Sequence, residues 1–162
     1  SIEPLLGQKE GILQGYYIAE PYHVVNAGGE KPRFLGTWDV DFRAYAVLIT
    51  SRRFARQHPA ELKAFLRAYI KGWRDYLEDP TEAHALMKEA NPNNTDAFMM
   101  ASRQLIIDGK LVTGRDETGG LENIGQLDTA RYDRQIAQLE ELGILKPGKV
   151  TTAKAVTTQY LP

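Results

Sequence analysis

The sequence predicts an α/β fold, with short strands in the first third followed by several helices, because its hydrophobic period changes near residue 50. Thr37–Arg43 alternates polar and apolar residues at period two, and Tyr45–Thr50 is an apolar, β-branched run with the length of a buried strand. From Ser51 onward apolar residues instead recur at three- and four-residue steps between Pro-containing stops, the pattern of amphipathic helices. The 162 residues therefore divide into a strand-rich segment, 1–50, and a helical segment, 51–162.

In the first segment, Ile2, Leu5 and Leu6 predict a short helix, followed by a turn at Gly7 and Gly11. Tyr16, Tyr17 and Ile18 give a strand over Gly15–Ile18, which ends because Pro21 lacks a backbone donor and biases Glu20 away from the α region. Pro21 also suits the first turn of a helix over Tyr22–Ala27, closed by Gly28 and Gly29. Arg33–Leu35 reads as another short strand, opened by Pro32.

In the second segment, Ser51 caps a short helix to Gln57, and Pro59 and Glu61 restart it. Leu62, Phe65, Leu66, Tyr69, Ile70, Trp73, Tyr76 and Leu77 then share one broad face, a stripe that reads as core. Asp79 as N-cap with Pro80 in the first position opens the next helix, to about Ala90. The turn Asn91–Thr95 caps a helix over Asp96–Asp108, ended by Gly109; Lys110–Gln126 reads as the longest irregular connection; and Asp128 caps a helix stopped at Gly143. The Thr-rich tail, Val150–Pro162, predicts a final short helix.

Composition excludes several functions. The 20 basic and 21 acidic residues leave a net charge of −1 with no long run of either sign, which argues against nucleic acid or anionic lipid as a partner. The absence of cysteine removes thiolate catalysis, disulfides and cysteine-based zinc sites. His23, His58 and His84 match no metal-ligand spacing, and no apolar run approaches the roughly 18 residues of a membrane span. The chain begins at Ser1 with neither a methionine nor the pattern of a signal peptide, so a piece of something longer is one expectation.

A nucleophile elbow and phosphate-binding glycine loops are missing, and Gly114–Gly120 precedes no strand–helix pattern. Asp39 and Asp41 would share one side of a strand beside Arg43, as a cation site or as solvated edge residues. Arg52 and Arg53 would hold an anion or form the exposed start of a helix. What remains suits recognition: Tyr16, Tyr17, Glu20, Tyr22 and His23 around the Glu-Pro bend, with Trp38 after it. Tyrosine and tryptophan offer large contact surfaces with a polar tip, and a carboxylate reads an amine, amidine or hydroxyl. The same residues also read as a solvated loop with half-buried sheet tyrosines.

Several stretches in this order resemble the later half of the NMT1/THI5-like proteins. They are Gly15–Tyr22, the run Ala46-Val47-Leu48-Ile49-Thr50, Phe54–Glu61 leading into Ala64–Ala68, Trp73–Pro80 with Glu82-Ala83, and Leu139–Leu145. The resemblance implies a type II periplasmic binding protein of an ABC importer for sulfonates, nitrate or thiamine-precursor pyrimidines. It implies a two-lobe protein of which residues 1–162 are the C-terminal portion, the first lobe's opening strands having no counterpart before Ser1, or else a reduced homologue that binds differently. It further implies a ligand in a cleft near the Glu-Pro region, making Tyr16, Tyr17, Glu20 and Tyr22 candidate contacts. A monomer in the periplasm, delivering its ligand to an ABC permease without catalysis, cofactor, metal, nucleic acid or membrane insertion, completes that expectation. The family's enzymatic branch, which makes the thiamine pyrimidine, carries a cysteine-rich motif that this chain lacks; a ligand-sensing domain of the same fold is a further alternative.

Overall fold

In the computed structural model, which describes residues 2–8, 10–42, 47–114 and 120–162, the chain is built from helices, and no strand forms among the described residues. This corrects the expected α/β fold with short strands in the first third, and with it the sheet of a type II binding protein. The physical reason is local. A strand needs a partner ladder, and these segments instead close their hydrogen bonds onto themselves or run without regular structure. The Tyr16 carbonyl accepts from the Ala19 and Glu20 amides at 3.0 and 3.2 Å, which folds the expected strand Gly15–Ile18 into a turn.

Thr37–Val40 forms one turn of 3-10 helix, where the Phe42 amide donates to the Thr37 carbonyl at 2.9 Å and the Asp41 amide to Trp38 at 3.1 Å. Asp41 then takes φ 53°, a left-handed conformation that aspartate tolerates better than most residues, so Asp39 and Asp41 share no strand face. Arg33–Leu35 and Val47–Thr50 have no regular secondary structure. Arg43, and Tyr45 and Ala46 of the expected buried strand, lie outside the described residues.

The helices follow their sequence signals more closely. They are α1 (Glu3–Gly7), α2 (Glu20–Asn26), α3 (Arg52–Gln57), α4 (Pro59–Glu78), α5 (Thr81–Ala90), α6 (Asp96–Asp108), α7 (Thr129–Glu141) and α8 (Thr152–Ala155). Ser51 Oγ accepts the Phe54 amide at 3.0 Å, Thr95 Oγ1 accepts Phe98 at 3.2 Å, and Asp128 accepts Ala130 and Arg131 at 3.0 and 3.4 Å. Each satisfies amides that the first helical turn leaves unpaired. At α5 the N-cap is Pro80 rather than Asp79; Asp79 Oδ1 instead accepts the Thr81 amide at 3.0 Å and the Thr81 hydroxyl at 2.6 Å.

The chain divides into two units, Ser1–Gly36 with Gly72–Ile124, and Thr37–Lys71 with Gly125–Pro162. The first buries Val24 of α2, Met99 and Ile106 of α6, and Ile124. Polar ties reinforce it: Ser102 Oγ donates to the Ile18 carbonyl at 2.8 Å, and Arg74 Nε donates to the Leu121 carbonyl at 3.1 Å. The second unit buries Ala55 and Ile70. There the Thr152 hydroxyl donates to Asp133, the Arg52 guanidinium to the Lys154 carbonyl at 3.3 Å, and the Gly148 amide to Glu140 Oε1 at 2.8 Å. Among the described residues no helix is long and apolar enough to cross a membrane.

Candidate functional site

The bend before α2 lies wholly in the first unit, and its geometry follows from Gly15, Glu20 and Pro21. Pro21 sits in the first turn of α2, where its missing donor is harmless, and Glu20 is the helix's first residue. From there the Glu20 carboxylate turns back on the preceding loop, and Oε2 accepts the Tyr16 amide at 2.5 Å. Gly15 makes room for it, since a Cβ there would stand 2.7 Å from Glu20 Cγ and 2.9 Å from Oε2. Glu20 is thus already committed to the loop's own backbone through one oxygen, with further acceptor capacity left on the carboxylate.

The tyrosines separate by environment. Tyr16 is 76% exposed. Tyr17 meets Phe34 edge-on, ring centroids 5.1 Å apart. Tyr22 packs 5.4 Å from Phe98 of α6, and His23 lies 4.6 Å from the same ring, so α2 and α6 are joined by an aromatic cluster above the buried Val24. The structure therefore brings Tyr16 and Glu20 together directly, and places Tyr17 and Tyr22 in aromatic contacts on the same unit. Trp38, the remaining candidate, belongs to the 3-10 turn of the second unit.

A second concavity in the first unit contains none of these residues. An open groove of about 650 Å³ runs along α5 and the start of α6, with Thr81, His84, Lys88, Asp96 and Met100 among its lining residues. Its charges are largely spent on each other, Lys88 Nζ standing 2.5 Å from Asp96 Oδ2. His84 is buried, and its Nε2 lies 3.3 Å from the Tyr76 hydroxyl. Burial pushes the Tyr76 phenol up from its ordinary range, opposed by the Arg103 charge. Arg103 of α6 holds the end of α4, donating from Nε to the Tyr76 carbonyl at 3.2 Å and from its terminal nitrogen to the Leu77 carbonyl. These contacts fix the α4–α5 corner, and their chemistry is structural. Sequence reasoning missed the Tyr76–His84 pair because it forms across the break at Asp79-Pro80, where helical spacing no longer predicts neighbours. No three His, Asp or Glu side chains among the described residues converge as a metal site.

The family model described as NMT1/THI5 like matches residues 5–83, which include the whole bend. That stretch is NMT1/THI5-like. The NMT1/THI5-like segment holds Tyr16, Tyr17, Glu20, Tyr22 and Trp38, whereas most of the groove beside α5 lies beyond it. No curated protein and no solved structure matches the chain.

Proposed function

We propose that this protein is the C-terminal portion of a solute-binding protein of an ABC importer, and that the Gly15–Gly29 bend forms one wall of its ligand site. The observation that carries this reading is the coincidence of the NMT1/THI5-like match, residues 5–83, with an exposed tyrosine next to a positioned carboxylate. The ligand class is a small organic molecule or oxyanion of the sulfonate, nitrate or thiamine-precursor pyrimidine type. Tyr16 supplies an aromatic surface, and Glu20 orients the loop that presents it. Periplasmic placement, a permease partner and a monomeric state belong to the same proposal, as does the absence of catalysis. The enzymatic branch of the family is disfavoured by the lack of any cysteine, since its resemblance rests on a cysteine-rich motif.

Titration calorimetry against sulfonates, nitrate and aminopyrimidines tests it. Binding of one class is expected, weakened by both Tyr16→Ala and Glu20→Ala. Tight binding that neither substitution alters would remove the bend from the site, and turnover of an aminopyrimidine precursor would replace the transport reading with the enzymatic one.

A further inference from the structure

The groove along α5 and the start of α6 follows from the side-chain rows of α5. Thr81, Ala85 and Glu89 stand at four-residue steps, and Pro80, His84 and Lys88 form the neighbouring row. The first row drops to a single methyl at Ala85, which opens a concavity between Thr81 and Glu89, about 12 Å apart along the axis at 1.5 Å per residue. From α6 comes Met100, its thioether half exposed. Beside Ala85 lies His84, only 7% exposed. Its Nε2 meets the Tyr76 hydroxyl at 3.3 Å, but Nδ1 makes no hydrogen bond among the described residues. That atom is not sealed from solvent, so it opens where the ring lines the groove. A polar atom so placed gains from any molecule that supplies the missing bond.

Charge selects the ligand. Three charged side chains line the groove, and two of them, Lys88 and Asp96, stand 2.5 Å apart and offset each other. Glu89 is left: exposed, and without a side-chain hydrogen bond or ion pair among the described residues. The surrounding unit, Ser1–Gly36 with Gly72–Ile124, carries eight Lys and Arg against fourteen Asp and Glu, a net of −6, so its field also favours a cation. An anion would meet Glu89 unopposed. A polyamine needs a second uncommitted carboxylate, and Asp96 is held by Lys88. A wholly apolar molecule would leave both Glu89 and the His84 Nδ1 unused. A single amine satisfies Glu89, and an aromatic ring suits the Met100 thioether over the small floor at Ala85. A hydroxyl serves Nδ1 in either tautomer, because it both donates and accepts. His84 and Glu89 are five residues apart, about 7.5 Å along the axis, a span that a para-hydroxylated ring with a two-carbon amine arm covers.

We propose that the α5–α6 groove is a binding site for a small phenolic amine, its ammonium at Glu89, its ring over Ala85 beside Met100 and its hydroxyl at His84 Nδ1. The assignment does not depend on the ligand reading of the bend, which contributes no residue to the groove. Titration of the full chain with tyramine tests it, with the Met100 methyl and the His84 ring nitrogens as magnetic-resonance reporters. Both are expected to shift saturably. Glu89→Gln should weaken tyramine about two- to fivefold, the scale of an exposed charge pair. Ala85→Leu, at an exposed position, should fill the floor and remove the shifts while the helical circular dichroism stays that of the parent. Phenethylamine, which lacks the hydroxyl, should bind more weakly and leave Nδ1 unmoved, and 4-hydroxyphenylacetate, with a carboxylate in place of the amine, should bind more weakly still. Glu20→Ala should leave tyramine binding unchanged. Absence of a saturable Met100 shift, 4-hydroxyphenylacetate or putrescine binding as tightly as tyramine, or loss of binding in Glu20→Ala would overturn the proposal.

Discussion

Among the described residues, four apolar side chains of the first unit, Val24, Met99, Ile106 and Ile124, fall to 8% exposure or less, whereas the second unit buries Ala55 and Ile70 to that degree. Side-chain hydrogen bonds serve both units, Ser102 on the Ile18 carbonyl and Arg103 on α4 in the first, and the Ser51 and Asp128 caps, Thr152 on Asp133 and Glu140 on the Gly148 amide in the second, so the difference lies in the apolar burial. Fully burying a large apolar side chain is worth about 1.5–3 kcal/mol, against about 0.5–1.5 kcal/mol for an ordinary hydrogen bond. The first unit should accordingly show the deeper hydrogen-exchange protection, around α6, and the second the shallower. The two tryptophans make the difference measurable, since Trp73 belongs to the first unit and Trp38 to the second.

The largest expected effect breaks the better-packed side. Met99→Ala empties a site that is 4% exposed and should cost about 2–5 kcal/mol in urea denaturation followed through Trp73 in a Trp38→Phe background. A cost below about 1 kcal/mol would mean that α6 does not carry the core of that unit.

Next comes the second unit's closest approach. Gly125 has φ +86°, and a Cβ there would stand 2.2 Å from Ile70 Cδ1, so Gly125→Ala combines backbone strain with a clash on a buried isoleucine. About 1–3 kcal/mol should be lost, read through Trp38 in a Trp73→Phe background. A neutral result would show that Ile70 is free to move, which widens the contrast between the units.

Gly72 gives the opposite sign. It lies inside α4 where a Cβ would meet nothing within 4 Å, so Gly72→Ala should stabilise the protein by about 0.5–1 kcal/mol, seen as a raised Tm. Destabilisation would mean that α4 does not run straight through this position.

The smallest effect is a pH dependence at the α4–α5 corner. Hydrogen bonds from the Thr81 hydroxyl and then its amide hold the Asp79 carboxyl below the usual aspartate range. A depressed folded-state value means that the stabilisation is complete above the ordinary aspartate value, about 3.9, and fades as the pH falls through the depressed one. Asp79→Asn should therefore flatten the acid-side loss of helical circular dichroism below about pH 4. Identical acid titrations for both proteins would remove this residue from the account.

What the sequence made legible was the local part of this structure. A helix end needs one side-chain oxygen three residues from an amide, and Ser51, Thr95 and Asp128 carry that information within a single turn. The strands required knowledge of partners. Tyr16-Tyr17-Ile18 and Trp38-Asp39-Val40 have the composition of strands, but their own carbonyls capture the amides that follow, and alternation in sequence records nothing about that competition. The candidate site was legible in part. The Glu-Pro bend was expected at the start of a helix and is found there, with Pro21 in its first turn. The return of Glu20 onto Tyr16 was not foreseen, because it depends on the space left by Gly15, which composition does not reveal as an approach distance.

The hydrogen bond between the Tyr16 amide and Glu20 also equips the molecule with an internal indicator. A ligand that binds the same carboxylate changes the electron density the amide faces, so a single nitrogen–proton resonance would report occupancy of the bend without a label and without knowledge of the ligand. A compound library could be screened on the Tyr16 cross-peak alone, and Glu20→Gln would move that peak in advance to the position of an amide facing a neutral acceptor.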